Sequence, residues 1–149
     1  MATEEERALI SPCGLNCGVC PLFIASSDET LRRRIAEGQG IPIEEVFVCA
    51  GCRPAQGRIP GVGSGPVCDT YACAVDDKKV EFCYECDEFP CLKLAPCADR
   101  AQEIPHNTKV YQLALLEKEG IDNWLQRYTD RVRGYRRGKK PRPGGDIQV

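Results

Sequence analysis

The chain has 149 residues, 28% of them charged, with a formal net charge of −2 and eleven cysteines. That is the length of one domain, and no run approaches the ~18 apolar residues of a membrane span. Hydrophobic residues make up 42% of the chain with cysteine counted among them; without cysteine the share is about 35%, marginal for a core that must stand alone.

The start, Met1-Ala2-Thr3-Glu4-Glu5-Glu6-Arg7, is acidic and no apolar signal region follows it. A cytoplasmic protein is expected, and there close-spaced thiols read as metal ligands or redox groups rather than a disulfide framework. An odd cysteine count points the same way. The first cluster is Cys13-Gly14-Leu15-Asn16-Cys17-Gly18-Val19-Cys20-Pro21, three thiols in eight residues with glycines that let backbone N–H groups turn toward sulfur. Ser26 and Glu29 form a capping box ahead of a short helix through Leu31–Glu37 that ends at Gly38, with Arg32, Arg33 and Arg34 solvated. A further helical turn is expected at 42–46, with Pro42 at its first position.

Cys49 and Cys52 follow. Residues 53–67, rich in Gly and Pro, read as a loop that leads to Cys68 and Cys73. Ala72–Lys79 is expected as a short helix and Val80-Glu81-Phe82 as a short strand feeding Cys83, Cys86 and Cys91, with Cys97 beyond. Asn107 or Thr108 caps a helix that Gly120 stops, with Val110, Leu113, Ala114 and Glu117 on one face. Asp122 caps a second helix on which Trp124, Leu125, Tyr128, Val132 and Tyr135 recur at helical spacing. The two form a hairpin over 107–137 that packs on the metal-bound half, and 138–149 reads as an extended basic tail. The expected fold is a small irregular α-rich (α+β) metal-stapled domain over 1–137, with zinc-knuckle-like loops over 13–97, short helices and minimal β structure.

Candidate ligands are Cys13, Cys17, Cys20, Cys49, Cys52, Cys68, Cys73, Cys83, Cys86 and Cys91. Spacing groups Cys49/Cys52 with Cys68/Cys73 as a four-cysteine zinc module. A second site could join Cys17, Cys20, Cys83 and Cys86, and Cys73, Cys83, Cys86 and Cys91 would also close a compact site. Two Zn²⁺ sites are expected, with a [4Fe–4S] cluster at one site as the alternative. The C-x3-C-x2-C run of Cys13, Cys17 and Cys20 also has the spacing of radical-SAM enzymes, but the chain lacks the alternating strands and helices that their barrel needs. His106, the only histidine, reads as a surface residue. Asp76/Asp77 and Glu85/Asp87/Glu88 read as solvated acidic loops. Residues 1–126 hold 12 basic and 20 acidic side chains and residues 127–149 hold 8 and 2. The basic end reads as a strap on the acidic body, and nucleic acid is not expected as a partner.

Cys13-Gly14…Cys17…Cys20-Pro21, Cys49-Ala50-Gly51-Cys52, Cys68…Cys73-Ala74 and Cys83-Tyr84-Glu85-Cys86 followed by Phe89-Pro90-Cys91 together resemble a prokaryotic cysteine-rich family of unknown function in which anaerobic bacteria and archaea are prominent. The resemblance covers about residues 10–95 and leaves Cys97 outside. It implies zinc or iron–sulfur binding and carries no activity. The leading expectation is a zinc-supported scaffold for a protein partner or small ligand, followed by an iron–sulfur or thiol-based redox protein, and third by a small metal-dependent enzyme.

Overall fold

The computed structural model describes residues 1–59, 66–96 and 105–137, of which 105 and 135–137 are described by backbone alone. Cys97 and the basic tail 138–149 lie outside the described residues. Among these residues the chain is helical and irregular with no strand, and a single antiparallel bridge pairs Ile10 with Asn16. The expected α-rich fold is present and its β component is not. Val80-Glu81-Phe82 has no ladder partner because the Val80 N–H donates to the Ala74 carbonyl at 2.9 Å and side chains take the backbone groups of Glu81. The Glu81 N–H donates to the Glu85 carboxylate at 2.9 Å, and its carbonyl accepts from the Arg53 guanidinium.

The chain opens with α1 (Glu4–Ala8), a helix not expected in this acidic stretch. Its signal is a capping box. The Glu6 N–H donates to Thr3 Oγ1 at 3.1 Å while the Thr3 N–H donates to the Glu6 carboxylate at 2.8 Å. Arg7, in the last turn, makes a two-point ion pair with Glu81 at 2.8–2.9 Å. After the first cysteines comes α2 (Pro21–Ile24), with proline at its first position.

The third helix, α3 (Glu29–Gln39), is capped by Asp28 rather than Ser26. The Ser26 hydroxyl is engaged in donating to the Phe23 carbonyl at 2.6 Å, which leaves Asp28 to accept from the Leu31 N–H at 2.9 Å. Gly40 in the left-handed region ends it, two residues past the expected stop. Arg32 is not solvated as expected, since it donates to the carbonyls of Ala25 and Ser26, each at 2.9 Å.

A short helix, α4 (Asp69–Tyr71), runs straight into a π-helical turn over Ala72–Asp77. The expected helix over 72–79 is therefore present in a wider-wound form, and that winding recurs at functional sites.

The hairpin consists of α5 (Lys109–Glu119) and α6 (Ile121–Arg137), split by Gly120. Thr108 stands at the cap of α5 without a side-chain cap bond, and Asp122 lies inside the first turn of α6 rather than capping it. On α5 the buried residues are Gln112, Leu113 and Leu116, whereas Ala114 and Glu117 are exposed. The inward face is thus turned from the one expected. It is set by Leu113, which sits against Gly14: a Cβ on that glycine would lie 2.8 Å from Leu113 Cγ. Trp124 and Tyr128 of α6 meet it, their ring centroids 4.7 Å apart. With Ile10, Phe82, Leu94 and Leu116 these side chains form one core, so the hairpin packs on the cysteine loops as expected.

Gln112 is wholly buried beside this core, and neither polar atom of its amide has a hydrogen-bond partner. An unsatisfied buried amide costs about 1–3 kcal/mol. Gln112→Met keeps the length and removes the polar atoms, so denaturant unfolding should show stability rising by roughly that amount. A fall in stability would mean that the amide is paired in solution.

Candidate metal centre

The first cysteine loop is held by its own short side chains. The Ser11 hydroxyl accepts from the Leu15 N–H and donates to the Leu15 carbonyl, both at 3.0 Å, and it lies 3.1 Å from Cys13 Sγ. Asn16 caps the single 3₁₀ turn over Cys17–Val19, with the Gly18 N–H donating to it at 2.9 Å. The second knuckle is brought in by the Cys49 N–H, which donates to the Leu22 carbonyl at 3.0 Å.

Two backbone N–H groups then face sulfur. Gly51 donates to Cys49 Sγ at 3.3 Å, and Cys52 donates across to Cys17 Sγ at 3.4 Å. Gly51 has φ +95° and packs so closely that a Cβ there would lie 2.9 Å from Leu9. Only glycine turns this knuckle without strain.

Burial pushes the Cys17 thiol up to about 11, and the neighbouring Cys13, Cys49 and Cys20 add to the effect against the lowering Cys52 N–H. Cys52 is raised further, first by burial and then by Cys13, Cys17 and Cys68. One neighbourhood therefore gathers Cys13, Cys17, Cys20, Cys49, Cys52 and Cys68.

The second neighbourhood is built from later segments. Its 3₁₀ turn, Cys83–Glu85, is pinned by the Cys83 N–H donating to the Pro12 carbonyl at 2.9 Å. Cys73 arrives on the π-helical turn, and Cys91 follows a cis Phe89–Pro90 bond. Cys73, Cys83, Cys86 and Cys91 line one cavity of about 30 Å³, with Lys78 and Lys93 on its wall. Burial raises Cys83 to about 12, with Cys13, Cys91, Cys73 and Cys86 adding to it. Lys78 is tied down by Glu88 at 2.9 Å and Asp87 at 3.9 Å.

The ten described cysteines are all free thiols. Among the described residues no group of three or more His, Cys, Asp or Glu stands close enough together to hold a metal ion as placed. Each neighbourhood offers a set of soft sulfur donors, the chemistry suited to zinc and iron–sulfur, but not a closed shell. Of the groupings that spacing leaves open, the structure brings together Cys73, Cys83, Cys86 and Cys91 along one cavity, while Cys68 stands before the helix that starts at Asp69. Cys17 accepts from the Cys52 N–H, so the first cysteine loop meets the second knuckle.

The other singled-out residues serve local structure. His106 is half-buried in the 3₁₀ turn Pro105–Thr108, not fully at the surface. Glu85, Asp87 and Glu88 bind Glu81 and Lys78 as described above. On α6, Arg131 pairs with the half-buried Glu119 at 2.7 Å, Arg127 lies 4.0 Å from the same carboxylate, and Arg133 pairs with Asp130 at 3.2 Å. Among the described residues no helix is long and apolar enough to cross a membrane.

A family model described as a protein of unknown function (DUF3795) matches residues 9–96. No curated protein and no solved structure matches the chain.

The buried thiols give the metal-free chain a definite pH response. Because their native pKa values are raised, the folded chain holds these protons more tightly than the unfolded one. The stability involved is intact below the unfolded thiol value of ~8.5 and is lost as pH climbs toward about 11 for Cys17 and about 12 for Cys83. Denaturant titrations of metal-free protein should show stability falling from about pH 8.5 upward, by at most ~1.4 kcal/mol per pH unit for each thiol. A flat profile to pH 11 would mean that these thiols are open to water.

Proposed function

The chain belongs to the DUF3795 family of proteins of unknown function, and we propose that it is a metal-binding protein whose cysteines hold two zinc ions, as a metal-stapled scaffold for a protein partner or small ligand. One observation carries this reading. Four thiols from three separate segments line a single cavity of about 30 Å³, enough for one water-sized occupant. Cys73, Cys83, Cys86 and Cys91 would hold one ion, and Cys17, Cys20, Cys49 and Cys52 the other, with Cys13 and Cys68 beside them.

The electrostatics support the same reading. Burial penalises the thiolate forms of Cys17, Cys52 and Cys83, and a dication is the partner that reverses the penalty and releases the protons. Two four-thiolate zinc sites would shift the formal charge from −2 to about −6. Side chains left for a partner include Leu92, 93% exposed beside Cys91, and Tyr111, 59% exposed. Ten free thiols suit the reducing cytoplasm.

Elemental analysis of protein purified without oxygen tests this. It should give two zinc ions per chain and a colourless solution. At saturating zinc, Cys86→Ser and Cys52→Ser should each lower the content by one. Chelation should lower the denaturant midpoint of the chain, since a metal bound only by the folded state adds to its stability. Brown protein absorbing near ~400 nm would replace zinc by an iron–sulfur cluster. A metal content near zero would overturn the reading.

A further inference from the structure

Resting on the two-centre reading above, we infer that the two centres load cooperatively, and that Arg53 is the positioning residue that couples them. Arg53 directly follows Cys52, so the first knuckle sets where its side chain starts. Its Nε donates to the Ile10 carbonyl at 2.7 Å, and its Nη2 donates to the Glu81 carbonyl. The guanidinium carbon stands 5.2 Å from the centroid of the Phe82 ring, a side chain only 1% exposed.

These partners are the residues that place the remaining thiols. Ile10 opens the loop that carries Cys13, and Glu81 and Phe82 immediately precede Cys83. The Cys83 N–H in turn donates to the Pro12 carbonyl at 2.9 Å. Cys13 lies within electrostatic range of Cys17 and Cys52 in one neighbourhood and of Cys83 in the other. The two sets of thiols therefore share one hydrogen-bonded seam with Arg53 at its centre.

The seam is costly to open. Ile10 is wholly buried, and although one bridge pairs it with Asn16, its carbonyl and that of Glu81 take their donors from Arg53. If the first knuckle loosens, both carbonyls lose that partner and the backbone leading into Cys83 is released. By reciprocity, a metal at the second centre, by fixing Cys83 and so Glu81, holds Arg53 and the first knuckle. Neither centre is then indifferent to the state of the other.

Native mass spectrometry of the full chain, stripped of metal and titrated with Zn²⁺ alone, reads this directly. At one equivalent of zinc the wild type should show the zero- and two-zinc forms in excess, with the one-zinc form at about half its statistical share, as a roughly tenfold coupling requires. Arg53→Met, which keeps the aliphatic stem and loses the donors, should restore the one-zinc form. Cys86→Ser should weaken zinc binding at the first centre about tenfold in the wild-type background and have no such effect beside Arg53→Met. Should Arg53→Met fail to fold, Arg53→Lys, which keeps the charge and can reach only one carbonyl, should show part of the same shift. A wild type that accumulates the one-zinc form at its statistical share, or a first centre indifferent to Cys86→Ser, overturns the coupling and leaves the two-centre reading standing. A wild type that takes up no zinc overturns both.

Discussion

Irregular backbone can be buried only if every peptide group finds a partner, and this constraint governs the cysteine half of the chain. Where there is no ladder and the helices are a few residues long, side chains must supply what regular structure would. Arg32 closes the carbonyls that end α2, and Arg53 those of Ile10 and Glu81. Ser11, Asn16 and Glu85 satisfy the N–H groups of Leu15, Gly18 and Glu81. Two further N–H groups, of Gly51 and Cys52, are turned to sulfur. The loops hold their shape because polar side chains have been committed to the main chain, which places the cysteines as a consequence.

That commitment has an electrostatic side. Burial raises the cost of ionising Cys17, Cys52 and Cys83, and neighbouring thiolates raise it again. The acidic groups nearby do not relieve this, and they are themselves held by cations: Glu81 by Arg7, Glu88 by Lys78 and Glu119 by Arg131. Most of these pairs are exposed and worth little for stability. They do not clear the second thiol set of carboxylates, since Glu88 lines its cavity and the Cys86 thiol donates to the Asp87 carboxylate at 3.6 Å, so the soft sulfur donors there have oxygen neighbours.

Much of this was legible in the sequence, and the gaps have physical causes. The hairpin could be read because Trp124, Leu125, Tyr128 and Val132 carry a strong helical period and Gly120 breaks it. Its inward face on α5 could not, because Gln112 is a polar residue buried at an apolar position and the contact that fixes the rotation, Leu113 on Gly14, joins residues ninety-nine apart. Thr3-x-x-Glu6 was a readable cap for α1 that the acidic run obscured. Val80-Glu81-Phe82 has strand-like composition, yet its backbone bonds to Arg53 and Glu85, and composition carries no information about a partner twenty-eight residues away. The cysteine sets stayed open in the sequence for a related reason. Spacing orders ligands along the chain, whereas the helix at Asp69 changes which neighbourhood the next thiol enters.

The main apolar cluster joins the two halves. Leu113, Leu116, Trp124 and Tyr128 come from the hairpin, and Ile10, Phe82 and Leu94 from the cysteine half, which also buries Val46, Tyr71 and Ala74 outside that cluster. Zinc held as proposed would add roughly 10–16 kcal/mol at each site. The hairpin then provides a surface on which the loops can lie, and the metals fix which of their conformations lies there. Arg53 stands where those two contributions meet: its stem follows a thiol pair, and its guanidinium rests on the ring of Phe82 at the edge of the apolar core.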